Sequence, residues 1–189
     1  DGGSITNIAV VGDGVLADVS ATADIDGLNV RADDVQIDGD NVQNGFVTVL
    51  GVAADADIEA NGAGVGVISG LTIVSSNTVN LDATTDVVNT NIAAISDVVV
   101  GQASTVVDVS GLLVETDGLI DINATAEVVN SELNAGTEDV DTIAIGSGTT
   151  NVIRVSNVNA DAGGQIDVWA SEDIEGSSFT TTDDSDDEG

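Results

Sequence analysis

The chain has 189 residues, of which 34 are acidic and two are basic, Arg31 and Arg154; it contains no His, and its formal net charge is −32. This balance excludes an ordinary nucleic-acid role, because phosphate binding depends on cationic side chains, and it excludes attraction to anionic membranes for the same reason. Hydrophobic residues make up 42% of the chain, so we expect it to fold rather than to stay disordered.

The chain begins at Asp1, without a Met or a charged and then apolar leader. No apolar run approaches the roughly 18 residues that a bilayer span needs. We therefore expect a secreted product whose export signal has been removed, although an arbitrary boundary would look the same. Self-repulsion among so many carboxylates lowers stability unless cations screen it. The composition thus predicts a salty extracellular or cell-surface environment.

Five segments repeat one pattern: an aliphatic residue, one gap, Ala, two gaps, an acid, and then Ile or Val. They are residues 17–30, 52–63, 80–94, 121–135 and 166–179. A second segment, residues 98–111, lies between two of these copies and recurs at residues 143–157. Recurrence at intervals of this size is typical of repeat architectures.

Apolar residues alternate within these phrases, as in Ile120, Ile122 and Ala124, which is the period of a β-strand. Gly, Asn, Asp and Ser separate the runs and are typical turn residues. Since the chain contains only Trp169, Phe46 and Phe179 as aromatics, a narrow core of small side chains is expected. We predict an all-β fold, a β-solenoid-like stack of short strands, with a β-sandwich or jelly roll as the alternative.

We expect a single β-repeat domain over residues 1–180. The remaining residues, 181–189, end in a run of acids. Such charge runs are usually solvated, so this tail is predicted to be disordered.

One acidic segment, residues 33–41, is a weak candidate for a site of Ca²⁺ or another hard cation, since such ions take clustered carboxylates and backbone carbonyls as ligands. Its spacing matches no known calcium loop, and an acidic turn with loosely held counterions is the simpler interpretation. The candidate ligands are Asp33, Asp34, Asp38 and Asp40. No other cofactor is expected.

The chain has few residue types suited to catalysis, because it lacks His, Cys, Lys and Tyr, which are common general bases and nucleophiles. A glycosidase with two carboxylates would need a cleft and, normally, aromatic platforms for the sugar. We therefore predict that the protein is not an enzyme. Asn123 lies in a formal N-x-[ST] match and is a weak candidate for glycosylation.

The chain starts and stops within a repeat, because residues 4–16 resemble the second half of the unit and residues 166–179 the first. Two incomplete units complete each other if copies join head to tail, and such a contact generates an open fibre. We therefore predict a structural subunit of an extracellular filament that polymerises with itself; the alternatives are a monomeric β-solenoid adhesin or binding module, and capped ends. The predicted interface residues are Ile5, Ile8, Val10, Val11, Ile166, Val168, Ile174 and Phe179.

Short Val/Ile-Ala phrases, Asn at turn positions, and the segments VVVGQAS and NVNADAGGQ together resemble curlin-type fibre subunits. The resemblance implies a β-solenoid that polymerises outside the cell into biofilm or adhesive fibres. The regular Ser, Gln and Asn ladder of that family is not present here, since the chain has Gln only at 36, 43, 102 and 165.

Overall fold

The computed structural model describes residues 3–12, 14–52, 54–63, 65–102, 106–147 and 151–182. Within these ranges the chain forms β-strands and turns, and no helix occurs. The strands lie in three sheets, and every pairing is parallel. The chain visits the sheets in a fixed order, one strand in each, and then returns to the first. The fold is therefore a three-sided β-solenoid of about eight turns, which confirms the predicted fold class and excludes the sandwich.

Sheet A contains nine short strands. In chain order they are Ile5–Thr6 (β1), Ile25–Asp26 (β4), Val42–Gln43 (β7), Val67–Ser69 (β10), Asp86–Val88 (β13), Val106–Ser110 (β16), Ala124–Val129 (β19), Val152–Ser156 (β22) and Ala170–Glu175 (β25). We number the coils of the solenoid 1 to 9 by their strand in this sheet.

Sheet B also contains nine strands. They are Ala9–Val11 (β2), Asn29–Ala32 (β5), Phe46–Val49 (β8), Thr72–Ser75 (β11), Asn91–Ala94 (β14), Leu113–Glu115 (β17), Glu132–Ala135 (β20), Asn159–Ala162 (β23) and Ser178–Thr181 (β26). The last of these strands continues one residue past the predicted domain boundary at 180, and the Thr182 N–H donates to the Ala162 carbonyl. Residues 183–189 of the predicted tail lie outside the described residues.

Sheet C has eight strands in the described part of the chain. They are Leu16–Ser20 (β3), Asp34–Gly39 (β6), Ala56–Ala60 (β9), Val79–Ala83 (β12), Val98–Val100 (β15), Ile120–Ile122 (β18), Ile143–Ile145 (β21) and Ile166–Val168 (β24). Coil 9 thus has strands in sheets A and B.

The core is a narrow column of stacked aliphatic side chains, because each strand turns alternate residues inward and parallel pairing places like residues above one another. On sheet C, for example, Ile37, Ile58, Leu81 and Val100 lie in register and are fully or almost fully buried. Branched side chains fill such a column without aromatic residues. The small number of aromatics in the sequence therefore follows from the width of the solenoid.

The corner between sheets A and B is built from residues with positive φ, and these alternate between Asn and Gly. The series runs Asn7, Gly27, Asn44, Gly70, Asn89, Gly111 and Asn130, after which Asn157 breaks the alternation and Gly176 resumes it. Asn and Gly are the two residues that most easily adopt this left-handed conformation. A Cβ added at Gly27, Gly70, Gly111 or Gly176 would lie 2.5–2.9 Å from the Oδ1 atom of the Asn one coil below, so the Gly makes room for that amide.

This alternation explains the period of the sequence repeat. The phrases at residues 80–94 and 121–135 place Asn89 and Asn130 at the same corner, two coils apart, with Gly111 in the coil between them. Gly101 and Gly146 likewise share one corner, with φ of 80° and 77°, two coils apart. The structural unit is a single coil. Residues at equivalent positions of neighbouring coils are separated by as few as 17 positions in the sequence (Asp24 and Asn41) and by as many as 27 (Asn130 and Asn157).

Candidate functional site

In the described part of the chain, no strand covers the first coil on sheets A and B. Ile5 and Val10 point inward and are only half-buried at this end of the column, where their strands β1 and β2 each have one neighbouring strand. Ile8 occupies the corner position that is buried in coils 2–8, and here it is 39% exposed. Val11 instead points outward from sheet B and is paired in register with Arg31. On sheet C, the inward residues of β3 are buried.

The last coils are open at the opposite end. Ile166 and Val168 end two inward columns on sheet C and are half-buried. Ile174 stacks on Val155 in sheet A and is 50% exposed, and Phe179 stacks on Ala160 in sheet B and is 37% exposed. The residues beneath them are buried, so the exposure of Ile174 and Phe179 arises because nothing in the described chain covers them.

Seven of the eight residues predicted for the subunit interface therefore lie at the ends of the core. Three are in the first coil (Ile5, Ile8 and Val10), and four are in the last coils (Ile166, Val168, Ile174 and Phe179). The eighth, Val11, lies on the side of the molecule. Their strands β1, β2, β24, β25 and β26 lie at sheet edges. A strand edge offers unpaired N–H and C=O groups to another chain. Each end thus combines an apolar surface with a template for strand addition.

The acidic segment at residues 33–41 follows the backbone of β6. Asp34 and Asp38 lie in that strand, Asp33 precedes it, and Asp40 lies in the turn after it. In the described residues no group of three or more acidic side chains comes together as a metal site would require. The cation site stays a prediction to which this geometry adds no support.

A column of charged residues runs along the outside of sheet A. Asp86, Asp108, Glu127, Arg154 and Asp173 occupy successive register positions. Burial raises the pKa of Asp86 above its usual value, and the neighbouring Asp108 carboxylate adds to the rise, although a hydrogen bond from the Asp108 backbone opposes it. Arg154 Nη2 donates to Glu127 Oε1 at 2.7 Å, and this contact raises the pKa of Arg154. The column shows how little cationic charge is available to offset the acids.

Asn side chains take up part of that task. Between neighbouring coils, the Asn Nδ2 donates to an Asp Oδ1 for the pairs Asn41–Asp24 (2.7 Å), Asn44–Asp26 (2.8 Å), Asn77–Asp55 (2.9 Å) and Asn80–Asp57 (2.7 Å). Hydrogen bonds to a charged acceptor are stronger than neutral ones. Cross-coil Asn donors therefore stabilise carboxylates where a chain richer in Lys would place cations. Sequence reasoning missed these pairs because their partners lie 17 to 23 residues apart at irregular intervals.

The remaining candidate residues lie on the surface of the stack. Asn123 follows β18, is half-buried, and donates from Nδ2 to Asp121 Oδ1 at 3.2 Å. Burial raises the pKa of Asp121, and the hydrogen bond from Asn123 offsets only part of that rise. Glycosylation of Asn123 stays a prediction.

Comparison with protein-family models, with curated proteins and with solved structures found no significant match to this chain. In the part of the chain that the structure describes, no helix is long and apolar enough to span a membrane.

Proposed function

We propose that the protein is a structural subunit of an extracellular filament, in which copies stack head to tail along the solenoid axis. The supporting observation is that the core columns run to both ends of the described chain and that no described residue covers them there, at Ile174 and Phe179 on one side and at Ile5, Ile8 and Val10 on the other. Burying these apolar groups against another copy would be favourable at about 25 cal/mol for each Å² removed from water.

Stacking would continue the existing sheets. The edge strand β25 would lie beside β1 of the next copy in sheet A, and β26 would lie beside β2 in sheet B, in the parallel sense already found along both sheets. In sheet C, one strand position would remain between β24 and β3 of the next copy, to be filled by chain from either side of the junction. A contact between two different surfaces of this kind does not close on itself and yields an open filament.

The environment of such a filament would be saline and outside the cell, since a charge of −32 on each subunit opposes stacking unless salt screens it. The assembly would be similar to that of curlin-type fibre subunits, which the sequence resembles. The polymer itself would be the functional object, without a catalytic site.

Electron microscopy of the purified chain in about 1 M salt, where charge screening is strong, tests this proposal. We expect filaments one solenoid wide, and we expect Ile174→Asp to abolish them by placing a carboxylate at the junction. Ile153→Asp is the matched control, because Ile153 is 44% exposed on the side of β22 rather than at an end. Deleting residues 1–14, which removes β1 and β2, should also abolish filaments.

Single particles at every salt and protein concentration would contradict the proposal and favour the monomeric adhesin or binding module. Filaments that survive Ile174→Asp would show that the junction lies elsewhere.

A further inference from the structure

Part of one face of this acidic molecule has strands without acids. The first five strands of sheet B, which are β2, β5, β8, β11 and β14, contain no Asp or Glu although the chain has 34. Among the strands that the structure describes, no other five neighbours in a sheet share this property. The outward-facing residues of these strands are Ala9, Val11, Asn29, Arg31, Phe46, Thr48, Thr72, Val74, Asn91 and Ala93. We call this surface the neutral face.

Half of the outward side chains on the neutral face are apolar. Phe46 and Val74 are exposed on it, and Leu113 continues it in coil 6. A shallow groove of about 340 Å³ crosses coils 3 to 5, and its wall is formed by residues such as Leu50, Val74 and Ile95. An exposed apolar surface of this kind is typical of a site of protein contact.

The other two outer faces differ in the same coils. Sheet A carries Asp26 and Asp86 there, and sheet C carries acids on four consecutive strands, from β3 to β12. A second copy of this chain would meet carboxylates on either of these sides. It would meet none within the strands of the neutral face, although acids return at the corners, as at Asp33 and Asp97.

We propose that the neutral face is a lateral contact between two copies of this chain, through which neighbouring filaments associate side by side. This lateral contact rests on the proposed filament. A second copy is the expected partner because two such acidic molecules repel each other least on this face.

Two charges favour one orientation: Arg31 lies on the neutral face in coil 2, and Glu115 lies just beyond it in coil 6. Arg31, Thr48, Val74, Ala93 and Glu115 lie in one register column on successive coils. Val74 is the middle member, with Arg31 two coils before it and Glu115 two coils after it. A two-fold axis along the strand direction at Val74 would set coils 3 to 5 of the two neutral faces against one another. It would also place Arg31 opposite Glu115 of the second copy, twice per contact. Arg31 also has a contact within its own molecule, and its positive charge would act alongside that contact.

The size of the face predicts a weak contact that needs repetition. Five strands at a spacing of about 4.8 Å and a width of about four residues cover roughly 300 Å² per copy, whereas a stable interface buries about 800 Å² on each side. Isolated pairs should therefore be short-lived. Filaments repeat the contact in every subunit, and multivalency of this kind strengthens the whole association. We expect antiparallel ribbons or bundles that form at high salt.

Val74→Asp tests the lateral contact, because it would place two carboxylates together on the two-fold axis. The matched control is Val107→Asp on the acidic sheet A, where the Val is 37% exposed against 40% for Val74. We expect Val74→Asp to leave single, unpaired filaments in electron micrographs at about 1 to 3 M salt, while Val107→Asp filaments bundle as the unmodified chain does. Bundles that persist in Val74→Asp, or unmodified filaments that never associate, would overturn the proposal.

Charge reversal tests the orientation. Arg31→Glu and Glu115→Arg should each reduce bundling several-fold in low-speed sedimentation, and the double variant should restore it. Failure of the double variant to recover would refute the antiparallel arrangement. If the chain forms no filaments, the proposed function fails, and the lateral contact is then decided by sedimentation equilibrium at high protein concentration. A dimer that Val74→Asp removes would support it, and a monomer throughout would refute it.

Discussion

Gly111→Ala tests the alternating corner between sheets A and B. Gly111 has φ +63°, and a Cβ at this position would lie 2.5 Å from Asn89 Oδ1 and 3.5 Å from its Cγ. The left-handed conformation costs an Ala about 1–2 kcal/mol, partly offset by about 0.4–1 kcal/mol from the less flexible unfolded chain. Moving the Asn89 side chain off its rotamer would add about 0.5–1.5 kcal/mol. We expect a net loss of about 0.5–3 kcal/mol.

The control is Gly14→Ala, since Gly14 has φ +74° but a Cβ there would meet nothing within 4 Å. It measures the conformational cost alone. Thermal unfolding followed by circular dichroism in constant salt should show a larger loss for Gly111→Ala, with about 2–4 °C for each kcal/mol in a chain of this size. Asn89→Gly in the Gly111→Ala background should recover part of the difference. Equal melting temperatures for the two Gly variants would refute the role assigned to the Asn amide.

Three further outcomes are expected. Burial and the neighbouring Asp108 raise the folded-state pKa of Asp86, so its ionised form destabilises the fold at neutral pH, and stability increases as the pH falls through the folded pKa towards the unfolded value near 3.9. Asp86→Asn should therefore stabilise the protein at pH 7 by less than about 1 kcal/mol, given solvent screening. Melting temperatures measured from pH 7 to pH 4 should depend less on pH in this variant. Asn80→Asp should cost about 1.5–3 kcal/mol, since it replaces the 2.7 Å donor to Asp57 by a second carboxylate, and denaturant unfolding should show a smaller loss at high salt. For the unmodified chain, the melting temperature should rise between about 0.1 and 1 M NaCl as the screening length falls from about 10 to 3 Å; a constant value would contradict the account of charge given above.

The fold class could be predicted from the sequence because a solenoid leaves a strong local pattern. Inward residues alternate, as at Ile120 and Ile122, and turn residues separate the strands. A column only a few side chains wide excludes large aromatics, which is why their scarcity favoured the solenoid over the sandwich.

The length of the repeat unit could not be read from the sequence in the same way. Neighbouring coils differ at the corner, with Asn89 in one coil and Gly111 in the next. A similar sequence therefore recurs only in alternate coils. The repeat copy at residues 52–63 was also misleading. The Ile that ends its pattern, Ile58, belongs to sheet C, whereas the residues at that position of the other four copies belong to sheet A: Ile25, Val87, Val128 and Ile174. Variable coil length conceals such shifts until the strands are paired.

The residues at the ends of the stack could be predicted because the coils follow one another in chain order, so aliphatic residues near the termini lie at the two ends of the solenoid. The neutral face could not, since it depends on register. Phe46, Thr72 and Asn91 are scattered in the sequence and become neighbours only when β8, β11 and β14 pair. Its defining property is the absence of acids, which leaves no motif.

Parallel stacking makes charge placement unusually consequential in this protein. A residue in one strand meets its counterpart about 4.8 Å away in the next coil, so a carboxylate repeated in every coil would form a line of like charges. Such a line does form on sheet A, where Asp86, Asp108 and Glu127 stack in consecutive coils. On sheet C an amide interrupts one where Asn80 follows Asp57, and the first five strands of sheet B carry no acid at all. The distribution of acids over the three faces therefore limits both the stability of a single solenoid and the sides on which two solenoids can meet, and the same screening by salt would control folding, end-to-end growth and lateral pairing.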